Sequence, residues 1–322
     1  MSNGPLILAA DVGGTTTAVG LVDDRGEILA HQTASTHGGG PTVERIASLL
    51  DEMMREGNRQ GLRVEGIGIG IPGAIEMATG RVGPDTQNLP ELANVPLGSL
   101  LRERFAVPIF LDNDVNALAL GELYFGAARG VQNFVVLAVG TGVGSGMVLN
   151  GRLVRGASGY AGEFGHIPIN LDGRPCFCGS QGCLKTYVSG PDITAQARER
   201  LQGQPRGILW ELASGDPTQV DAELVFQAAK AGDPLATELV EEVCRYLGAG
   251  LAAIINGVNP ELLILTGGVA ESLREHFPEI CQWCNRYAFA AAVSAAKLLC
   301  LTQDKRTSVR GAAALVLYEL GK

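Results

Sequence analysis

The sequence predicts an α/β protein built from two similar domains that face each other across a cleft. Three observations carry that prediction. Apolar strand-like runs alternate with segments of helical periodicity, a pattern that builds a mostly parallel or mixed sheet with helices on both faces. A strand, a glycine turn and a hairpin occur near the start and again in the second half, as expected of one unit used twice. Glycine, at 44 of 322 residues, is about twice its usual share and collects in turns behind the apolar runs, where backbone can wrap a phosphate.

In chain order, residues 6–14 (LILAADVGG) read as a buried strand ending in a glycine turn, and residues 17–29 as a hairpin turning at Asp24-Arg25-Gly26. Residues 42–57 carry apolar side chains at helical spacing and end on a glycine. A buried strand over 64–73, a helix over 97–105 and a strand over 108–114 (PIFLDND) follow, the last with its acidic end facing out and a helix at 115–126 behind it. Residues 133–154 repeat the opening: Gly140-Thr141-Gly142 stands where Gly13-Gly14-Thr15 stood, and Asn150-Gly151 takes the hairpin turn. After an irregular stretch come helices over 222–232 and 233–257, the second with Asp233 as N-cap and Pro234 as first helical residue. A strand over 261–268 and a helix over 308–320 complete the pattern. Residues 1–115 with 306–322 form the smaller domain and residues 116–305 the larger. No low-complexity linker separates them, so the hinge runs through short connections.

Composition excludes several classes. With 46% hydrophobic and 18% charged residues, disorder is ruled out. The balance of 25 basic against 34 acidic side chains, net −9 with a pI near 5.0, argues against a nucleic-acid partner, which needs a dense basic face. No signal peptide is expected, since the first basic residue is Arg25 and the apolar run from Leu6 stops at Asp11. The charge-free stretch from Gly130 to Gly151 is broken by glycines at 140, 142, 144 and 146, which suits a turn between strands and no membrane span. Seven cysteines, an odd number, fit a reducing compartment. The expected location is the cytoplasm.

The chemistry gathers in three turns and one cluster. In DVGGTT, backbone N–H groups of Gly13 and Gly14 and the hydroxyls of Thr15 and Thr16 can face an anion, and Asp11 can hold a magnesium ion through water. One strand followed by Gly-Gly-Thr reads equally as a plain tight turn. The repeats at Gly140, Thr141 and Gly142 and at Gly267 and Gly268, in LTGGVAES, favour a nucleotide held between two lobes. His166, Cys176, Cys178 and Cys183 supply one imidazole and three thiolates, a closed tetrahedral set for structural zinc; a redox-active cysteine pair is the alternative. Cys281 and Cys284 read as buried small side chains.

DVGGTTT, LDNDVNALALGE (111–122), VGTGVGSGMVLNG (139–151), AGEFGH (161–166), CFCGSQGC (176–183) and LTGGVA (265–270) together resemble the ROK family (repressors, open reading frames, kinases) of the actin/Hsp70-like ATPases. The resemblance spans nearly the whole chain and is closest to the bacterial glucokinase branch. It implies two actin-like (ribonuclease H-like) domains around a cleft, a zinc loop at 163–185, ATP and Mg2+ as phosphoryl donor and cation, a hexose as acceptor, and a homodimer or homotetramer. It implies that Asp114 is the catalytic base and that Asn113, beside it, binds a sugar hydroxyl. The plain alternative is that Asn113 or Asp114 only caps the helix behind it, while strand alternation points Asp112 elsewhere. Zinc would fix the loop carrying Glu163 and His166, so that the second imidazole nitrogen meets a sugar hydroxyl. Gly73 and Asn88 would line the same face, Asn88 serving equally well as a turn residue. ROK repressors carry an N-terminal helix-turn-helix, for which no room is expected ahead of Gly13.

One position departs from the family pattern. ROK sugar kinases carry GCxE, the glutamate accepting hydrogen bonds near the anomeric carbon, but here GCLK puts Lys185 there, a donor with no acceptor. It can pair with Glu163, recognise an acceptor-rich or anionic substrate, or swing to solvent. The expected activity is transfer of a γ-phosphoryl group from ATP to glucose, with N-acetylmannosamine, N-acetylglucosamine, fructose or allose as other acceptors and polyphosphate or ADP as other donors. Competing classes are a sugar sensor with little turnover, a zinc-dependent interaction module, and an ATPase acting on a protein partner.

Overall fold

Seven consecutive buried residues form β1 (Leu6–Val12), and their period-2 alternation splits two cores. Leu6, Leu8, Ala10 and Val12 join Ile46, Leu49, Leu50 and Met53 of the helix Thr42–Arg59 in one core. Ile7 and Ala9 join Val309, Ala312, Ala313 and Val316 of the helix Lys305–Glu319 in the other. The remaining strands of this sheet are β2 (Thr16–Asp23), β3 (Ile28–Ser35), β4 (Val64–Ile71) and, beyond the short hairpin strands β5 (Ile75–Glu76) and β6 (Arg81–Val82), β7 (Ile109–Asn113). Their order is β3-β2-β1-β4-β7, with β2 antiparallel to both of its neighbours and β1, β4 and β7 parallel to one another. The glycines that alternate with isoleucine in β4 admit the helix Lys305–Glu319: a Cβ on Gly68 would overlap the Ala312 carbonyl.

The second sheet repeats that order. Its strands are β8 (Phe134–Val139), β9 (Val143–Leu149), β10 (Arg152–Leu153), β11 (Leu262–Thr266) and β12 (Lys297–Cys300), arranged β10-β9-β8-β11-β12, with β11 parallel to both β8 and β12. The repeat read in the sequence is therefore a repeat of topology. The buried helix Pro234–Val258 begins where predicted, Asp233 Oδ1 accepting the Ala236 N–H at 3.0 Å. Elements not read in the sequence include the helix Gly190–Gly203, inside the stretch taken as irregular, the helix Phe277–Tyr287, the hairpin β5–β6 and the edge strand β12, and the first hairpin extends to Ser35.

The computed structural model describes residues 5–38, 40–86, 88–302 and 304–322. Contacts divide the chain into Met1–Gln132 with Gly146–Ala161 and Gln303–Lys322, and Asn133–Ser145 with Gly162–Thr302. The sequence put a boundary at 115, but the helix Asp114–Phe125 packs in the first unit. A Cβ on its Gly121 would stand 2.9 Å from Gly311 Cα, so two glycines let these helices touch along their backbones. No helix among the described residues is long and apolar enough to cross a membrane.

Candidate active site

In the first unit, β1 carries Asp11 to a turn held by the Gly13 N–H donating to the Thr16 carbonyl at 3.1 Å and by the Thr36 hydroxyl donating to the Gly13 carbonyl at 2.7 Å. Thr15 is exposed and Thr16 half-buried. Asn88 packs on this turn, since a Cβ on Gly14 would stand 2.9 Å from the Asn88 carbonyl oxygen. Asp11 is buried, and its Oδ2 accepts from Lys305 Nζ at 2.7 Å.

Asn113, at the end of β7, caps the helix Asp114–Phe125: its Oδ1 accepts the N–H groups of Val115 at 2.9 Å and Asn116 at 3.3 Å. Its Nδ2 donates to the Gly73 carbonyl at 3.2 Å. Gly73 has φ +96°, and a Cβ there would stand 2.6 Å from the Thr86 methyl carbon, so the turn admits only glycine comfortably. With Asn113 as the cap, Asp114 Oδ1 takes the Val115 N–H at 3.0 Å, and no ion pair among the described residues ties the carboxylate down. Burial, and then the charge of Asp11, push Asp114 up to about 6, against its backbone N–H bonds and the charge of Lys305. Asp112 is buried and its carboxylate is taken up by structural partners. Its Oδ1 accepts from the Asn113 N–H at 2.8 Å and Asn116 Nδ2 at 2.9 Å, and its Oδ2 from Arg155 Nε at 2.6 Å.

In the second unit, the turn after β8 and the turn after β11 meet. The Gly140 N–H donates to the Gly142 carbonyl at 2.9 Å, and the Gly190 N–H donates to the Gly140 carbonyl at 2.8 Å. Gly268 N lies 3.9 Å from where a Cβ on Gly140 would stand, and Thr141 is exposed. Nothing lies within 4 Å of a Cβ placed on Gly142 or Gly268, whereas Gly267, at φ +100°, is closed by the Val139 carbonyl. Open glycine backbone here lets a ligand approach closely.

The ligand atoms of His166, Cys176, Cys178 and Cys183 all lie within 4.8 Å of one another. His166 Nδ1 faces Cys176 Sγ at 3.5 Å, and Cys178 Sγ lies 3.7 Å from Cys183 Sγ, so Nδ1 is the ring nitrogen turned to the thiols. Burial and the neighbouring thiols push the Cys183 thiol up to about 12. Three thiols and one imidazole converging on one point fit zinc, whose charge would favour the thiolates. Glu163 is exposed and has no ion-pair partner among the described residues; the protein around its carboxyl raises its pKa.

Lys185 neither pairs with Glu163 nor swings to solvent. Its Nζ donates to Asp192 Oδ2 at 3.0 Å and lies 5.2 Å from the centre of the Phe177 ring, with 12% of the side chain exposed. The Ser189 hydroxyl also donates to Asp192 Oδ2. The lysine is thus drawn onto the first turn of the helix Gly190–Gly203.

The ROK family model matches residues 7–319. The chain belongs to the ROK family. It is 33% identical over 318 residues to a glucokinase of Thermotoga maritima, covering 98% of each chain. Among solved structures it resembles a ROK glucokinase from Streptomyces griseus in complex with glucose and AMPPNP, at 32% identity and a TM-score of 0.76 over 96% of this chain and 98% of that one. It also resembles a ROK transcriptional regulator, a homolog of the E. coli MLC protein, at 30% identity and a TM-score of 0.85 over 97% of this chain and 78% of that one. The two-domain actin-like α/β fold expected from the sequence is that of the ROK kinases.

Three partners of the candidate residues escaped sequence reasoning: Lys305 on Asp11 and Arg155 behind Asp112 in the first unit, and Asp192 on Lys185 in the second. The first two join positions 294 and 43 residues apart, beyond any local pattern. Asp192 carried a signal, because Ser189-Gly190-Pro191-Asp192 is a helix-start motif with proline in the first turn.

Proposed function

We propose that this ROK protein is an ATP-dependent sugar kinase that phosphorylates the primary hydroxyl of a hexose, with glucose as the leading acceptor. The observation that carries the reading is Asp114, a carboxyl at the head of a helix, free of any ion pair among the described residues and pushed up to about 6. A base of that strength is ionised at neutral pH and still able to take a hydroxyl proton. In the reaction the sugar oxygen bonds to the γ-phosphorus as the β–γ bridging P–O bond breaks. The proton passes to Asp114 and ADP leaves with the bridging electron pair.

The phosphates are received by Gly13, Gly14, Thr15 and Thr16 and by Gly140, Thr141, Gly142, Gly267 and Gly268. The sugar is read by Gly73, Asn88 and Asn113 in the first unit and by Glu163 and His166 in the second. Asp11 Oδ1 would hold Mg2+ through water, since Oδ2 is taken by Lys305; the ion supplies charge that neutralises the phosphate oxygens. His166, Cys176, Cys178 and Cys183 would hold zinc in a structural role, which would fix the His166 ring with Nε2 toward the sugar. The test is ADP release with a panel of hexoses and N-acetylhexosamines. Asp114→Asn should abolish turnover while sugar binding survives, and loss of binding together with turnover would remove Asp114 from the base role.

A second reading is a sugar-responsive ROK protein with little turnover. It is favoured by Lys185, which stands on Asp192 where the family pattern has an acceptor, and by the likeness to a transcriptional regulator. Sugar binding without ADP release by wild type would decide for it.

A further inference from the structure

The ammonium of Lys305 is poised over the first glycine turn. Its Nζ sits 2.7 Å from Asp11 Oδ2 and 3.4 Å from where a Cβ on Gly13 would stand. The charges of Asp11 and Lys305 both act on Asp114, so turn, cation and the proposed base occupy one place in the first unit. Helix stability does not explain a lysine here. Lys305 and Arg306 open the helix Lys305–Glu319, whose first turn has no acidic residue, and cations at a helix start oppose its dipole. Nor does the ion pair bury the lysine, which keeps 43% of its side chain exposed. An ammonium anchored by one carboxylate oxygen, with donors to spare and beside a glycine turn, is arranged to take an anion.

We propose that Lys305 is a further phosphate-binding residue, whose ammonium contacts the terminal phosphoryl group of the nucleoside triphosphate at the Gly13 turn. This rests on the kinase reading and extends it. Lys305 stays protonated throughout and takes no part in the proton transfer; it stabilises negative charge on the γ-phosphoryl oxygens as the bridging bond breaks. The Asp11 contact holds the side chain extended before nucleotide arrives, which reduces the ordering cost of binding.

The decisive comparison is equilibrium binding of ATP and of ADP, each with Mg2+, to wild type, Lys305→Met and Lys305→Arg by titration calorimetry. A charge-assisted contact to the γ-phosphoryl predicts that Lys305→Met weakens ATP by about tenfold or more while ADP moves little, and that Lys305→Arg retains most of the preference. Equal loss for both nucleotides, or no loss for either, overturns the proposal. Thermal melts of both variants establish that they fold, and if the methionine variant does not, Lys305→Gln takes its place. Hexose turnover by wild type is measured beside this. Tight ATP binding without turnover would sink the kinase reading while Lys305 is still judged by its ATP-to-ADP ratio; turnover with an unchanged ratio would sink Lys305 alone. Failure of wild type to bind ATP would overturn both.

Discussion

Arg155 Nε donates to Asp112 Oδ2 at 2.6 Å, and the other oxygen of Asp112 holds Asn113 and Asn116 at the head of the helix that begins with Asp114. The arginine's Nη2 reaches Glu319 at 2.5 Å, and its guanidinium lies 5.6 Å from the centre of the Tyr318 ring. The proposed base is therefore positioned from behind by a buried carboxylate and its cation.

Removing one partner of such a pair leaves the other charge uncompensated. Arg155→Met should destabilise the protein by about 3 kcal/mol, read in denaturant unfolding, and should lower kcat by loosening the helix start. Because Asp112→Asn removes the stranded charge, the double variant should recover part of the stability. A double variant no better than Arg155→Met would show that the loss lies in packing on Tyr318.

Asp114 gives two pH signatures of opposite sense. Turnover needs the carboxylate, so kcat/KM should rise as pH rises through about 6. Stability should fall as pH rises toward that same value. The folded protein holds this proton more tightly than the unfolded chain, whose carboxyl titrates near 3.8, so the native state loses ground between those values as pH increases. Asp114→Asn should remove that decline and stabilise the protein at pH 7 by about 3 kcal/mol, the difference disappearing below about pH 3. A wild-type stability curve that is flat from pH 4 to 6 would contradict both the raised pKa and its cause.

What the sequence disclosed and what it hid follow from the range of the interactions. The buried runs of β1, β4 and β8 and their glycine turns are local, and the cluster of one histidine and three cysteines lies within eighteen residues, His166 to Cys183. The helix Gly190–Gly203 was lost among irregular residues because its amphipathic pattern is weak, although Ser189 and Pro191 marked its start. β12 is four residues long and half-buried, too short for alternation to declare it. Asn113 shows the limit at the site itself: capping and substrate binding call for the same residue type, and only the Val115 and Asn116 bonds establish that it caps.

The glycines of the second-unit turns divide into two kinds. Gly267→Ala puts a Cβ into the Val139 carbonyl at φ +100° and should cost about 2 kcal/mol or more. Gly142→Ala meets nothing within 4 Å, so its melting curve should match wild type. If Gly142 faces nucleotide, ATP affinity falls in that variant all the same; unchanged affinity would take the turn out of the binding site.

Zinc makes a separate prediction. Metal analysis should give one zinc per chain in the purified protein, lost on Cys183→Ser or prolonged chelation, with the loop from His166 to Cys183 becoming the first site of proteolysis. If the loop orders the sugar face, hexose affinity falls with the zinc while ATP affinity does not. Parallel loss of both would mean that the metal supports the whole unit.

Lys185 cannot be judged by a single substitution. Lys185→Glu would set a carboxylate beside Asp192, which now accepts the lysine at 3.0 Å, so the variant should melt lower than wild type and its carboxylate should turn away. Neutralising the anchor lifts that repulsion. In Lys185→Glu with Asp192→Asn, the new acceptor is free to meet a hydroxyl, and KM for glucose should fall relative to wild type and to Asp192→Asn alone, with kcat little changed because Asp114 is untouched. If the double variant folds and its KM stays where it was, the acceptor at this position does not govern hexose affinity in this chain, and the Lys185–Asp192 pair is a brace between the zinc loop and the helix Gly190–Gly203.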